Sequence, residues 1–234
     1  TYDAIKGRDY VRSVVQTSDG GYALVGETQS SVVEGYDCRL IKTDSFGNME
    51  WNKTYGEGGV HPNSIVQTSD GGYAIAGDKG AISDFGFFKT DSAGNMEWNK
   101  TYGELKSDYA CSVVQTSDGG YALAGAKEQT NMLYTTMWLI KTDSSGNMEW
   151  NQTYGYGRAN SVIQTSDDGY AMAGYKIEGF PTFCLVKTDE AGIIPEFPSL
   201  LLAIPLLVAL TLILVLIRRR LPRNKFKNRR STHP

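Results

Sequence analysis

Histidine and cysteine are scarce in this 234-residue chain, which holds two of the first and three of the second. His61 and His233 stand far apart, and Cys38, Cys111 and Cys184 fall at different places along the chain. With no C-x-x-C and no Cys/His cluster, the ligand spacing of a zinc site is missing. An odd number of cysteines closes no disulfide framework either, so the three read as small buried hydrophobes. Also absent are a G-x-S-x-G elbow, an H-E-x-x-H helix and a phosphate-binding glycine loop. No cofactor and no metal is implied. Acidic residues stop at Glu196, while residues 218–234 carry eight basic side chains and no acid. The body of the chain is therefore acidic, which argues against a nucleic-acid partner, since phosphate backbones need a concentrated positive face. The chain has no initiator Met and no signal peptide at Thr1. It reads as a fragment or a processed form whose export signal lay upstream.

What the chain does have is repetition. The phrase Q-T-S-D-[GD]-G-Y-A begins at Gln16, Gln67, Gln115 and Gln164, with spacings of 51, 48 and 49 residues. Each unit contains four short runs rich in Val, Ile, Tyr, Trp and Thr, as strands prefer. In the first unit these are 13–17, 21–26, 38–43 and 49–55. Ser18 to Gly21 and Asp44 to Asn48 supply turn chemistry between the first and second and between the third and fourth runs. The connection between the second and third runs varies in length and composition, over 27–37, 78–86, 126–137 and 175–183. One four-stranded meander cannot bury both of its faces, so units of this length are expected to pack face to face as β-propeller blades. The spacing predicts blades near 13–56, 64–103, 112–155 and 161–190 within an all-β region 1–192. Trp51, Trp98 and Trp150 recur at one blade position, as do Tyr22, Tyr73, Tyr121 and Tyr170. A residue needed in every blade is expected to hold blades together.

These units resemble the blades of archaeal and bacterial surface-type β-propeller proteins, with their W-x-[KR]-T-Y-G, Q-T-x-D-G-G-Y and K-T-D-x-x-G-N phrases. The resemblance implies an architecture and no particular activity, because propellers host many functions. Thr1-Tyr2 matches the end of a fourth run, and the fourth unit stops after its third. Two readings stay open: a four-bladed ring short of most of its closing strand, or a piece of a larger ring.

After a linker at 193–199, residues 200–217 form an uncharged apolar stretch, long enough for one transmembrane helix. Arg218, Arg219 and Arg220 follow at once, which reads as the cytoplasmic flank by the positive-inside rule. The expected arrangement is a single pass through membrane lipid, the propeller extracellular and the basic tail 218–234 inside. Pro195, Glu196, Phe197 and Pro198 precede the apolar stretch. With the Arg cluster they resemble the archaeal C-terminal sorting signal named for Pro-Glu-Phe, which implies an archaeosortase as a partner and removal of the tail. This chain runs on for 14 residues past the cluster, unlike such tails, so retention as a plain anchor is the competing expectation.

Asn52, Asn99 and Asn151 begin N-x-T sequons in the fourth runs, as possible N-glycosylation sites. Asp44, Asp91, Asp143 and Asp189, and likewise Asp19, Asp70, Asp118 and Asp167, occur singly in turns; they lack the carboxylate density of a calcium loop and are assigned to turn stabilisation. A glycosidase-type acid pair is expected to break the repeat with unusual residues, and none stands out along the sequence. The expected function is a binding, adhesion or structural module at the cell surface, not an enzyme. Its carbohydrate or protein ligand would meet Tyr36, Phe85, Tyr134 and Phe180 in the variable connections. The alternative is an extracellular carbohydrate-active hydrolase or lyase on the same scaffold.

Overall fold

The computed structural model describes residues 8–29, 36–56, 60–79, 84–103, 107–128 and 134–195. The described chain is all β. The first repeat folds as β1 (Asp9–Gln16), β2 (Tyr22–Gln29), β3 (Tyr36–Thr43) and β4 (Met49–Tyr55). The second gives β5 (Val60–Gln67), β6 (Tyr73–Lys79), β7 (Asp84–Thr90) and β8 (Met96–Tyr102). The third and fourth give β9 (Tyr109–Gln115), β10 (Tyr121–Glu128), β11 (Thr135–Thr142), β12 (Met148–Gln164), β13 (Tyr170–Glu178) and β14 (Phe180–Thr188). Strands pair antiparallel in chain order, giving four-stranded meanders that resemble propeller blades. The expected apolar span 200–217, its Arg flank and residues 196–198 of the sorting motif lie outside the described residues.

Two boundaries depart from the sequence reading. The fourth strand of the third repeat and the first strand of the fourth are one continuous strand, β12. Its first half pairs with β11 up to Tyr156, and its second half pairs with β13 from Gly157. The link there is the shortest of the series, so no loop fits, and Gly155 and Gly157 turn the strand at φ 60° and 148°. Strands two and three also run further into the variable connections than expected. In the fourth repeat they meet at a hairpin tip, Gly179, with Glu178 opposite Phe180.

The turns behave as their residues dictate. Asp44 Oδ1 accepts from the amides of Phe46 and Asn48 at 2.9 and 2.8 Å, and Asp91, Asp143 and Asp189 do the same. Asp19 Oδ1 accepts from the Gly21 amide at 3.0 Å, closing the first hairpin.

Alternation sends one set of side chains from each sheet toward the next repeat and the other set toward the preceding one. Three apolar cores result, one per seam. The first joins Ala23, Val25, Cys38, Leu40 and Tyr55 to Ile65, Tyr73, Ile75 and Phe88. The second sets Phe85, Phe87 and Tyr102 against Val113, Tyr121, Leu123, Trp138 and Ile140. The third sets Met137 and Leu139 against Ala159, Val162, Tyr170, Met172 and Val186. The repeated Trp and Tyr of the fourth strands lock each seam. Trp51, Trp98 and Trp150 meet Tyr73, Tyr121 and Tyr170 edge-on, with ring centroids 5.6 to 6.0 Å apart. Tyr55 and Tyr102 hydroxyls donate to the Gly94 and Gly146 carbonyls of the next repeat's turn, at 2.7 and 2.6 Å.

Candidate functional site

The four repeats share a backbone irregularity that the sequence reading passed over. In every first-to-second strand pair the register slips by one residue, between Val11 and Ser13, Pro62 and Ser64, Ala110 and Ser112, and Ala159 and Ser161. The extra residues are Arg12, Asn63, Cys111 and Asn160. Opposite each bulge is a glycine, and it is required there: a Cβ on Gly77 would lie 2.2 Å from the His61 carbonyl oxygen. Gly26, Gly125 and Gly174 meet the same obstacle from Tyr10, Tyr109 and Arg158. Bulges re-aim side chains and gather at binding sites. Here one fixed bulge presents three different side chains across the four repeats: Arg, Asn twice, and Cys.

Around the bulges the neighbouring positions also depart from the repeat. Arg12 donates to Glu27 through Nε at 2.9 Å, with Nη2 at 2.7 Å from the same oxygen. His61 of the next repeat brings Nδ1 to 3.4 Å from that oxygen. Glu27 is buried while Arg12 and His61 are open to solvent. The Tyr36 ring stands 6.0 Å from Tyr10 and 6.4 Å from His61. One seam further on, Asp78 Oδ1 accepts from the Ala110 amide at 3.0 Å, and Asn63 Nδ2 donates to the Ala110 carbonyl at 2.7 Å. Burial pushes the Asp78 carboxyl up to about 6, against the opposing pull of those hydrogen bonds and of the Arg158 and His61 charges. Arg158 in turn donates from Nε to Cys111 Sγ at 3.0 Å and lies over the Tyr109 ring.

These groups sit at the end of the sheets that bears the second-to-third-strand connections, since Tyr10, Glu27 and Cys38 are near that end of β1, β2 and β3. The opposite end, where the Ser-Asp-Gly turns lie, is built from repeated ion pairs. Lys42, Lys89 and Lys141 are each buried between two carboxylates: Asp19 and Glu50, Asp70 and Glu97, Asp118 and Glu149, at 2.6 to 2.9 Å. Burial would raise Asp118, but hydrogen bonds from Lys141, Thr116 and the Gly120 amide hold it down at about 2. Such a carboxylate is a structural acceptor, not an acid near neutral pH.

Of the ligand-loop candidates, Tyr36 joins the polar group just described, half-buried. Tyr134 is exposed, with its ring 6.2 Å from Tyr156. Phe180 is exposed beside the Gly179 tip. Phe85 is a correction: it is a β7 residue, fully buried in the second seam against Trp138, because β7 extends through the segment expected as a loop. Asn52, Asn99 and Asn151 and the threonines two residues later are all exposed. Two carboxyls also depart from the repeat. Glu27 and Asp78 occupy one repeat position that is Ala126 and Tyr175 in the other two units. Both open the segments read as variable connections, 27–37 and 78–86, where a departure from the repeat carries no signal. Among the described residues no group of His, Cys, Asp and Glu is arranged to hold a metal ion.

No protein family matches the chain. No curated protein matches it either. Among solved structures, it is similar to an α-L-arabinofuranosidase, CtGH43, from Clostridium thermocellum. The identity is 12% and the TM-score 0.45, over 82% of this chain and 71% of that one. It is also similar to MPT-4, a mannose phosphorylase from Leishmania mexicana, at 10% identity and a TM-score of 0.41, over 76% of this chain and 63% of that one.

Proposed function

We propose that the chain is a β-propeller-type binding module held at the outer face of a membrane by residues 200–217, with Arg218, Arg219 and Arg220 on the cytoplasmic side. Its ligand is a carbohydrate that meets the bulge end of the blades. The observation that carries this reading is the bulge itself: an invariant glycine and serine frame that presents Arg12, Asn63, Cys111 and Asn160 in turn. Glu27, Asp78, His61 and the tyrosines beside them supply hydroxyl-directed acceptors and donors with apolar faces, the mixture that sugar recognition uses. Asn52, Asn99 and Asn151 lie on outer strands and are glycosylation acceptors in this arrangement. The Pro195–Pro198 motif supports either archaeosortase processing or retention of the anchor.

The test is binding of the full chain, in detergent, to a glycan array. Arg12→Ala and Tyr36→Ala should each lower retained signal at least tenfold while leaving the thermal midpoint within a few degrees. Unchanged binding by both variants would reject the site. A second reading is favoured by one observation, the carboxyls Glu27 and Asp78 in adjacent repeats, one held by Arg12 and His61 and the other raised toward neutrality. That division suits glycoside cleavage. It requires that Asp78→Asn and Glu27→Gln each abolish release of reducing ends from a bound glycan.

A further inference from the structure

Each internal seam is made by two dissimilar faces, one looking toward the next repeat and one toward the preceding repeat. Among the described residues, the first and fourth repeats each present one of these faces uncovered. On the fourth repeat the forward face carries Phe183, Leu185 and Ile163, exposed by 103%, 72% and 57%. The counterparts of Leu185 at the seams, Leu40, Phe87 and Leu139, are fully buried, and those of Ile163, Val15, Val66 and Val114, are partly buried. On the first repeat the backward face carries Val14, exposed by 58%, and Tyr22, by 37%. Ile65, Val113 and Val162, and Tyr73, Tyr121 and Tyr170, are buried at those positions.

The polar register of the seams recurs on the same two faces. Ser18, Ser69 and Ser117 amides donate to Gln67, Gln115 and Gln164 of the following repeat, at 2.7 to 2.8 Å. Val113 and Val162 amides donate to Ser64 and Ser112 hydroxyls of the preceding one, both at 3.2 Å. The fourth repeat supplies Ser166 and Ser161 at the matching positions, and the first repeat supplies Gln16 and Val14. Gln16 Nε2 is already turned to its own Gly20 carbonyl at 3.5 Å, as Gln67 and Gln115 are to Gly71 and Gly119. That leaves Gln16 Oε1 aimed as theirs are.

We infer that the chain associates with a second copy of itself head to tail, the forward face of one fourth repeat seating on the backward face of the other's first repeat. The occupant is identified by the three internal seams, which already join these two surfaces and no other pair. Contact of two different faces is heterologous, so it extends or closes into a ring instead of stopping at a two-fold dimer. Among the described residues the fourth repeat has no fourth strand to add the Trp and Tyr of the internal seams, so this interface forms reversibly. It does not rest on the carbohydrate reading: Val14 and Leu185 are not bulge residues, and the readout is association, not glycan binding.

Sedimentation velocity of the full chain in detergent tests it. The wild type should shift to larger species as its concentration rises. Val14→Glu and Leu185→Glu change exposed positions and should each lose that shift. An equal mixture of the two should give a one-to-one complex that grows no further, because only one intact pair of faces remains. A wild type that stays monomeric throughout, oligomers that survive either substitution, or a mixture that stays monomeric would each overturn the inference.

Discussion

At the turn end of the sheets, the repeats carry the same side chains in the same places. At the bulge end they share a backbone and almost nothing else. Lys42, Lys89 and Lys141 each sit between an Asp and a Glu, and each fourth-strand Trp meets the next repeat's Tyr. Arg12, Asn63, Cys111 and Asn160 occupy one bulge position with three chemistries. The first pattern is what selection for blade packing leaves behind: any repeat that lost its Trp or Lys would loosen a seam. The second is a rigid mount with variable heads, the arrangement that the proposed recognition surface needs. Lys187 shows the rule by its exception. Its side chain is 38% exposed and, among the described residues, its ion pair is with Asp167, with no fourth strand there to bring it a Glu.

The comparison breaks most visibly in stability. Phe87 is fully buried where Trp98, Tyr102 and Tyr121 converge. Phe87→Ala should cost about 3–5 kcal/mol, through lost transfer energy plus the cavity left behind. Urea unfolding followed by tryptophan fluorescence would check it; a loss under about 1 kcal/mol would mean that the seam is not packed as described.

At the bulge end the sign should reverse. Below about pH 4, Asp78 is protonated in the folded and unfolded chain alike. Between about pH 4 and its raised value of about 6, only the folded chain holds that proton, so stability falls as pH rises. Above pH 6 the charge sits in its partly desolvated place and the penalty is complete. Asp78→Asn keeps an oxygen for the Ala110 amide and removes the charge. The variant should lose that slope and gain about 1–2 kcal/mol at pH 8, measured by urea unfolding across pH. A stabilising substitution at the bulge end, beside a destabilising one at the seam, is the signature of a site kept for function at some expense of stability.

Much of the blade was legible in the sequence because its signals are local. Gly at the turns, Asp capping its own hairpin and period-two alternation fix strands and connections without reference to distant residues. The seam role of Trp and Tyr followed from their recurrence. The bulges were not legible in the same way. A one-residue slip changes no composition, and its marks are a glycine inside a strand and an unmatched residue before the serine. Both were visible at Gly26 and Arg12, yet neither has meaning until the two strands are paired. Phe85 was misplaced for a related reason: tertiary burial extends β7 through a segment that reads locally as a connection. The fusion of two strands into β12 likewise depends on how closely the third and fourth repeats pack.

The smallest expected effect isolates the mount from the head it carries. Asn160 is exposed, and its bulge partner in the first repeat is an arginine, so the backbone already accepts that side chain in this conformation. Asn160→Arg should change stability by no more than about 0.5 kcal/mol. Gly174→Ala in the same bulge should not be tolerated, since its Cβ would lie 2.0 Å from the Arg158 carbonyl oxygen, and main chain cannot yield as a side-chain tip can. A loss of about 1–3 kcal/mol is expected there, read from the shift in the urea midpoint. If the two substitutions cost the same, the bulge would be an accident of one strand pair. If they separate as stated, glycine is the fixed part of the device and the bulged side chain is the part free to be chosen for a ligand.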